Sequence, residues 1–227
     1  MDRTVEVCDL RLQVPCSLAI FGKSQSGKTT HVKKLIEMRD LVFTHPIDKI
    51  YFFFKSWQPA YDELESEVEF VEGSITMAWL RSNVPRAQTN EQRQGPATMI
   101  VIDDGSEDLS SDTVEVVTIG VHHHRLVLIP LYHAVFTASS PHLRTISQNL
   151  NYFQVHKSPR DMLQISRLAS QIDPGNARRF VSIYKEATRN PFSYLFLDMT
   201  QQCEEKFRLR SNCLFENNDP IIVYERL

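Results

Sequence analysis

Residues 22–29, Gly-Lys-Ser-Gln-Ser-Gly-Lys-Thr, match the pattern GxxxxGK[ST] at every fixed position. No other stretch constrains the chain as strongly. Gly22 and Gly27 let the backbone wrap, so that successive N–H groups converge on an anion. A helix beginning at Lys28 aims its positive end at the same point. Lys28 adds a full charge for the β- and γ-phosphates of a nucleotide, and the Thr29 hydroxyl suits Mg²⁺. The expected phosphate cradle is therefore Gly22, Lys23, Ser24, Gln25, Ser26, Gly27, Lys28 and Thr29. Of only seven glycines in the chain, two occupy the two required positions. The motif also lies between an apolar run at 17–21 and a segment of helical period, the context that it needs.

A second element follows downstream. Residues 98–102, Thr-Met-Ile-Val-Ile, read as a buried strand that runs into Asp103-Asp104-Gly105. Beside a phosphate loop, Asp103 is expected to hold the water shell of the cation. Asp104 is expected to orient or activate an attacking water. Alone, the same residues would be an ordinary turn after a strand. Glu is commoner at the second position, and Asp104 is shorter by one methylene.

The rest of the chain alternates strand and helix patterns. Strands are expected at 49–54, 68–71, 126–131, 152–155, 194–197 and 221–224, with Pro130 weakening a central place for the third of these. Helices are expected from Lys28 and Val32 to Arg39, near 60–66 and 75–82, and within 108–123. Two more should start at Ser158-Pro159-Arg160-Asp161 and at Asp173-Pro174. Residues 83–96 and 137–151 read as loops. This alternation predicts an α/β fold with a mostly parallel sheet and helices on both faces. Residues 1–16 would be an N-terminal strand or tail, and 17–227 a single domain.

Composition narrows the setting. No stretch reaches 18 uncharged apolar residues, and the first 16 mix charges with apolar residues, so neither a membrane segment nor a secretory signal is expected. The four cysteines form no CxxC pair and suggest reduced thiols in an intracellular compartment. A net charge of -3 makes the chain as a whole a poor attractor of nucleic acid. DNA contact would need a local stripe or a ring. Arg167, Arg178, Arg179, Lys185 and Arg189 form either such a stripe or a solvated face. His122, His123 and His124 are adjacent, point apart on a helix, and read as an end-of-helix cluster rather than a zinc site.

Several segments together resemble the virus-encoded DNA-packaging ATPases of the FtsK–HerA superfamily. They are the loop with Val32-Lys33-Lys34-Leu35, then Phe70-Val71-Glu72-Gly73, 99–105, His122-His123, and Arg144-Thr145-Ile146-Ser147 with Asn149. Lys157-Ser158-Pro159-Arg160-Asp161, Ala187-Thr188 and Tyr194-Leu195-Phe196-Leu197-Asp198 complete the set. The resemblance spans roughly 17–215. It implies a P-loop NTPase with a RecA-like core, binding ATP and Mg²⁺ and acting as a homo-oligomeric ring. That ring would drive double-stranded DNA into a capsid, inside a host cell or associated with the virion, with viral capsid proteins as partners. An arginine from the neighbouring subunit would complete each site, Arg144 first and Arg160 second.

Where that family carries Thr-Gln-Asn, this chain has Tyr132-His133-Ala134. A neutral His133 can donate one hydrogen bond to a phosphate or water. It marks either the sensor of the terminal phosphate or a site that binds without turnover. Two other functions fit the loop: a nucleotide-binding assembly factor with weak or no hydrolysis, and a small-molecule kinase.

Overall fold

The computed structural model describes residues 9–64, 67–103, 110–134, 141–214 and 220–225. The strands are β1 (Cys16–Phe21), β2 (Ile47–Phe54), β3 (Glu69–Glu72), β4 (Ala97–Ile102), β5 (Leu126–Tyr132), β6 (Tyr152–His156), β7 (Tyr194–Asp198), β8 (Leu209–Ser211) and β9 (Ile222–Val223). The helices are α1 (Lys28–Glu37), α2 (Arg39–Val42), α3 (Met77–Asn83), α4 (Asn90–Gln94), α5 (Ser111–Glu115), α6 (Val121–His123), α7 (Pro141–Gln148), α8 (Met162–Ile172) and α9 (Ala177–Ala187). All the strands join one sheet in the order β3-β2-β4-β5-β1-β6-β7-β8-β9. From β3 to β6 every pairing is parallel, and from β6 to β9 every pairing is antiparallel. The α/β architecture with a mostly parallel sheet is therefore the one expected.

Both faces of the sheet are covered, which explains the unbroken apolar runs in the sequence. Successive residues of a strand point to opposite faces. In β1, Leu18 and Ile20 pack with Val32, Leu35 and Ile36 of α1, together with Leu12, Phe43 and Tyr61. Ala19 and Phe21 turn the other way, toward Leu168, Phe180 and Tyr184 of α8 and α9. The same split divides Met99 and Val101 from Ile100 and Ile102 in β4. Pro130 sits in a central strand after all. It faces Ile102 at the last rung of the β4–β5 ladder, where the missing N–H costs least.

Four other expectations need correction. The segment expected as one loop at 83–96 contains α4, closed by a capping box between Thr89 and Gln92; every α4 residue is exposed, so no apolar stripe announces it. The expected loop at 137–151 contains α7, in which Ile146 is buried. The helix from Lys28 stops at Glu37, and Arg39 belongs to α2, where its guanidinium donates to the Ile36 carbonyl (2.7 Å). Ser158 does not cap α8: its hydroxyl donates to the Asp161 carboxylate (2.6 Å), and the helix starts a turn later at Met162. Strand β8 has no counterpart in the sequence reading, because three residues are too few to show a period.

Residues 1–8 lie outside the described residues. Leu12 forms an isolated bridge with Phe43 rather than a sheet strand, and Cys16 already belongs to β1. The histidine run closes α6: His122 and His123 are exposed, while His124 is buried and donates from Nδ1 to the Val84 carbonyl (2.7 Å).

Candidate functional site: a phosphate cradle at the carboxyl edge of the sheet

β1 runs between β5 and β6 and delivers Gly22 to the C-terminal edge of the parallel strands, where ligands of open α/β sheets bind. The Gly22 amide donates to the Tyr132 carbonyl at the end of β5 (3.0 Å). A Cβ on Gly22 would displace the Ser26 hydroxyl and crowd the His156 Cβ at 3.0 Å, so the site favours glycine. The Ser26 amide returns to the Lys23 carbonyl (3.1 Å), Gln25 takes φ +64°, and Gly27 closes the loop at φ +91°. The chain thus folds back on itself within five residues.

This local fold leaves the start of α1 open. Gly27 offers no side-chain cap, and the first turn holds no acidic residue, so its amides keep their donors for an anion. Ser26 Oγ is buried without a hydrogen-bond partner among the described residues. Lys28 is 7% exposed, and its ammonium donates to the carbonyls of Gly22 (2.6 Å) and Lys23 (3.2 Å). These features fit a phosphate group. Lys23 turns outward to an ion pair with Asp161 (3.2 Å), which ties the β6–α8 turn to the loop. Ser24 and Gln25 are exposed, and Thr29 is half-buried in the first turn of α1.

Asp103 ends β4, one strand beyond β5, and is nearly buried. Its amide donates to the Phe53 carbonyl (2.9 Å). Its Oδ2 accepts a 2.6 Å hydrogen bond from the hydroxyl of Tyr61, which is fully buried. Tyr61 lies in a 3₁₀ turn (Pro59–Leu64), and its ring packs against Phe52 (4.8 Å), Trp57 (5.5 Å) and Phe70 (5.7 Å). That packing fixes the phenol and so aims the carboxylate. Sequence reasoning missed Tyr61. No spacing rule links it to an aspartate 42 positions away, and only the density of aromatics around it hinted at a built environment.

His133 follows β5 and is half-buried in a cleft shared with Gly22, His156 and Asp161, so the structure sets it beside the loop on the Asp103 side. Asp104 lies outside the described residues. Arg144 is exposed on α7, and Arg160 is exposed in the turn next to Asp161. Thr29 and Asp103 are the residues that could hold Mg²⁺.

Beneath the loop lies a buried polar seam that the sequence did not suggest. His156 Nδ1–H donates to the Ser26 carbonyl (3.1 Å), and Nε2 accepts from the Gln154 amide (2.9 Å). Burial drives the His156 pKa down to about 4, with the Lys28 charge adding to the effect. The His31 ring meets His156 at 5.6 Å and Tyr194 at 4.7 Å, and its pKa is pushed well down, first by burial and then by His156. A neutral pair of imidazoles therefore props the phosphate loop.

No family model matches the chain, and no curated protein matches it by sequence. Solved structures do match. The DNA-packaging ATPase B204 of Sulfolobus turreted icosahedral virus superposes with a TM-score of 0.55 at 11% identity, over 94% of this chain and 98% of that one. The genome-packaging NTPase B204 of Sulfolobus turreted icosahedral virus 2, in complex with ATPγS, gives 0.51 at 14% identity, over 93% and 98%. The cytoplasmic domain of the type VII secretion ATPase EccC of Thermomonospora curvata gives 0.50 at 13% identity, over 92% and 25%. The fold is that of P-loop ATPases, and B204 shares it along nearly its whole length.

Three outcomes follow for the site. Lys28→Ala should weaken ATPγS binding roughly 10- to 100-fold, the worth of one charged hydrogen bond, as read by titration calorimetry. Tyr61→Phe should raise the Mg²⁺ concentration that supports nucleotide binding about 10-fold and leave Mg²⁺-free binding unchanged; equal losses with and without Mg²⁺ would make Tyr61 merely structural. For His156 the unfolded chain takes up a proton near pH 6.5 that the folded chain refuses until about 4. Stability should thus be full above that upper value and fall with acidification, by up to about 1.4 kcal/mol per pH unit for each such histidine. Urea unfolding at pH 7, 6 and 5 reads this slope, and His156→Gln should flatten part of it.

Proposed function

We propose that the chain is an ATP-hydrolysing motor that acts as a homo-oligomeric ring and translocates double-stranded DNA into a viral capsid. A complete phosphate loop, set in a fold shared with a viral packaging ATPase over 94% of this chain and 98% of that one, carries the reading. Lys28 and the open amides of α1 bind the phosphates, while Thr29 and Asp103 hold Mg²⁺, whose charge offsets that of the phosphates. Asp104 activates the attacking water and His133 senses the terminal phosphate. Arg144, exposed on α7, reaches the site of the neighbouring subunit. The exposed Arg167, Arg178, Lys185 and Arg189, with half-buried Arg179, offer the local positive charge that DNA needs on a chain of net charge -3. Capsid proteins are its other partners, and it works inside the infected cell.

Phosphate release from ATP, measured with and without long double-stranded DNA, tests this. The expected result is release that DNA stimulates several-fold and that Lys28→Ala abolishes. ATP binding with no release under either condition would mark a nucleotide-binding assembly factor instead.

A further inference from the structure

Phe192 stands out on the α9–β7 turn. It is 67% exposed, yet it is a large apolar side chain, and its backbone lies in the left-handed region at φ +62°. An aromatic residue adopts that conformation only where its surroundings enforce it. Here they do. The Lys157 amide donates to the Ser193 carbonyl (3.1 Å), its ammonium to the Arg189 carbonyl (2.7 Å), and Ser193 Oγ to the Asn190 carbonyl (2.7 Å). The turn is therefore clamped to the element that props the phosphate loop, and the ring is held out of the core rather than left out of it.

The clamp sets the ring against the loop itself. A Cβ built on Gly27 would lie 3.3 Å from Phe192 Cδ1, 3.5 Å from its Cβ and 3.7 Å from its Cγ, so the ring side packs over that glycine. Gly27 is the residue from which the open end of α1 begins. The order of strands then gives the site a direction. Asp103 and His133 lie beyond β1 on the β4 and β5 side, whereas Phe192 precedes β7 on the opposite side. A phosphate chain whose terminal group faces Asp103 must send its other end toward β6 and β7. There a flat, solvent-facing aromatic surface waits beside the cradle.

We infer that Phe192 is the stacking platform for the nucleobase of the bound nucleotide. This rests on the reading of residues 22–29 as a nucleotide-phosphate cradle and adds the subsite for the other end of the ligand. The chemistry is that of an aromatic face, which accepts any base through its π-surface. The positive φ follows from this role, since it lets the turn present the ring to the ligand instead of burying it.

The test compares two ligands on the full chain: ATPγS and inorganic tripolyphosphate, which lacks a base, each with Mg²⁺. Phe192→Ala should weaken ATPγS binding roughly 5- to 100-fold and leave tripolyphosphate binding unchanged. Phe192→Trp should keep ATPγS affinity, and its added emission should be quenched by ATPγS but not by tripolyphosphate. Equal affinity of wild type and Phe192→Ala for ATPγS would overturn the inference, as would an equal loss for both ligands. If wild type bound neither ligand, the cradle reading would fall and this inference with it; tripolyphosphate binding by wild type separates the two failures.

Discussion

A buried ammonium resting on two main-chain carbonyls is the arrangement on which the site depends. Lys28 is 7% exposed and donates to the carbonyls of Gly22 and Lys23 within its own loop. The loop is thus folded around a buried cation, a charge that also suits a phosphate. The remaining features of the loop serve the same end. Gly22 clears the space that Ser26 and His156 occupy, Gly27 frees the end of α1, and neutral His156 holds the Ser26 carbonyl from below.

The sheet converts this cradle into a directed site. Because β5 lies between β1 and β4, the carboxylate of Asp103 is held a strand away from the loop, and the end of β5 lies between them. His133 follows β5, in a cleft shared with Gly22, His156 and Asp161. On the other side of β1, β6 and its turns carry His156, Asp161 and the Lys157 clamp on the Phe192 turn. Each strand end therefore contributes a different group along the edge. Tyr61 joins the hydrophobic layer to the chemistry, since its ring belongs to the core and its hydroxyl to Asp103.

Much of this was legible in the sequence, and the reason is physical. Strands buried on both faces leave apolar runs that no surface segment imitates, so β1, β2, β4 and β5 are readable within a residue or two. A phosphate loop needs fixed residue types at fixed spacing, so the tight turn at 22–27 and the helix from Lys28 were readable as well. Features that depend on long-range partners were not. The Tyr61–Asp103 bond spans 42 positions and His156–Ser26 spans 130, and neither leaves a local pattern. Short polar helices such as α4 failed for a different reason, because capping rather than burial holds them. Phe192 was hidden as a lone aromatic after Asn190-Pro191, and only its backbone conformation and its contact with Gly27 give it meaning.

The most direct measurement is a structure of the protein with ATPγS and Mg²⁺. Lys28 Nζ should have left the Gly22 carbonyl for oxygens of the β- and γ-phosphates, at about 2.7–2.9 Å, with the α1 amides on the same phosphates. A nucleotide bound elsewhere on the chain, with Lys28 still on the carbonyls of Gly22 and Lys23, would contradict the central claim that residues 22–29 form a nucleotide-phosphate cradle.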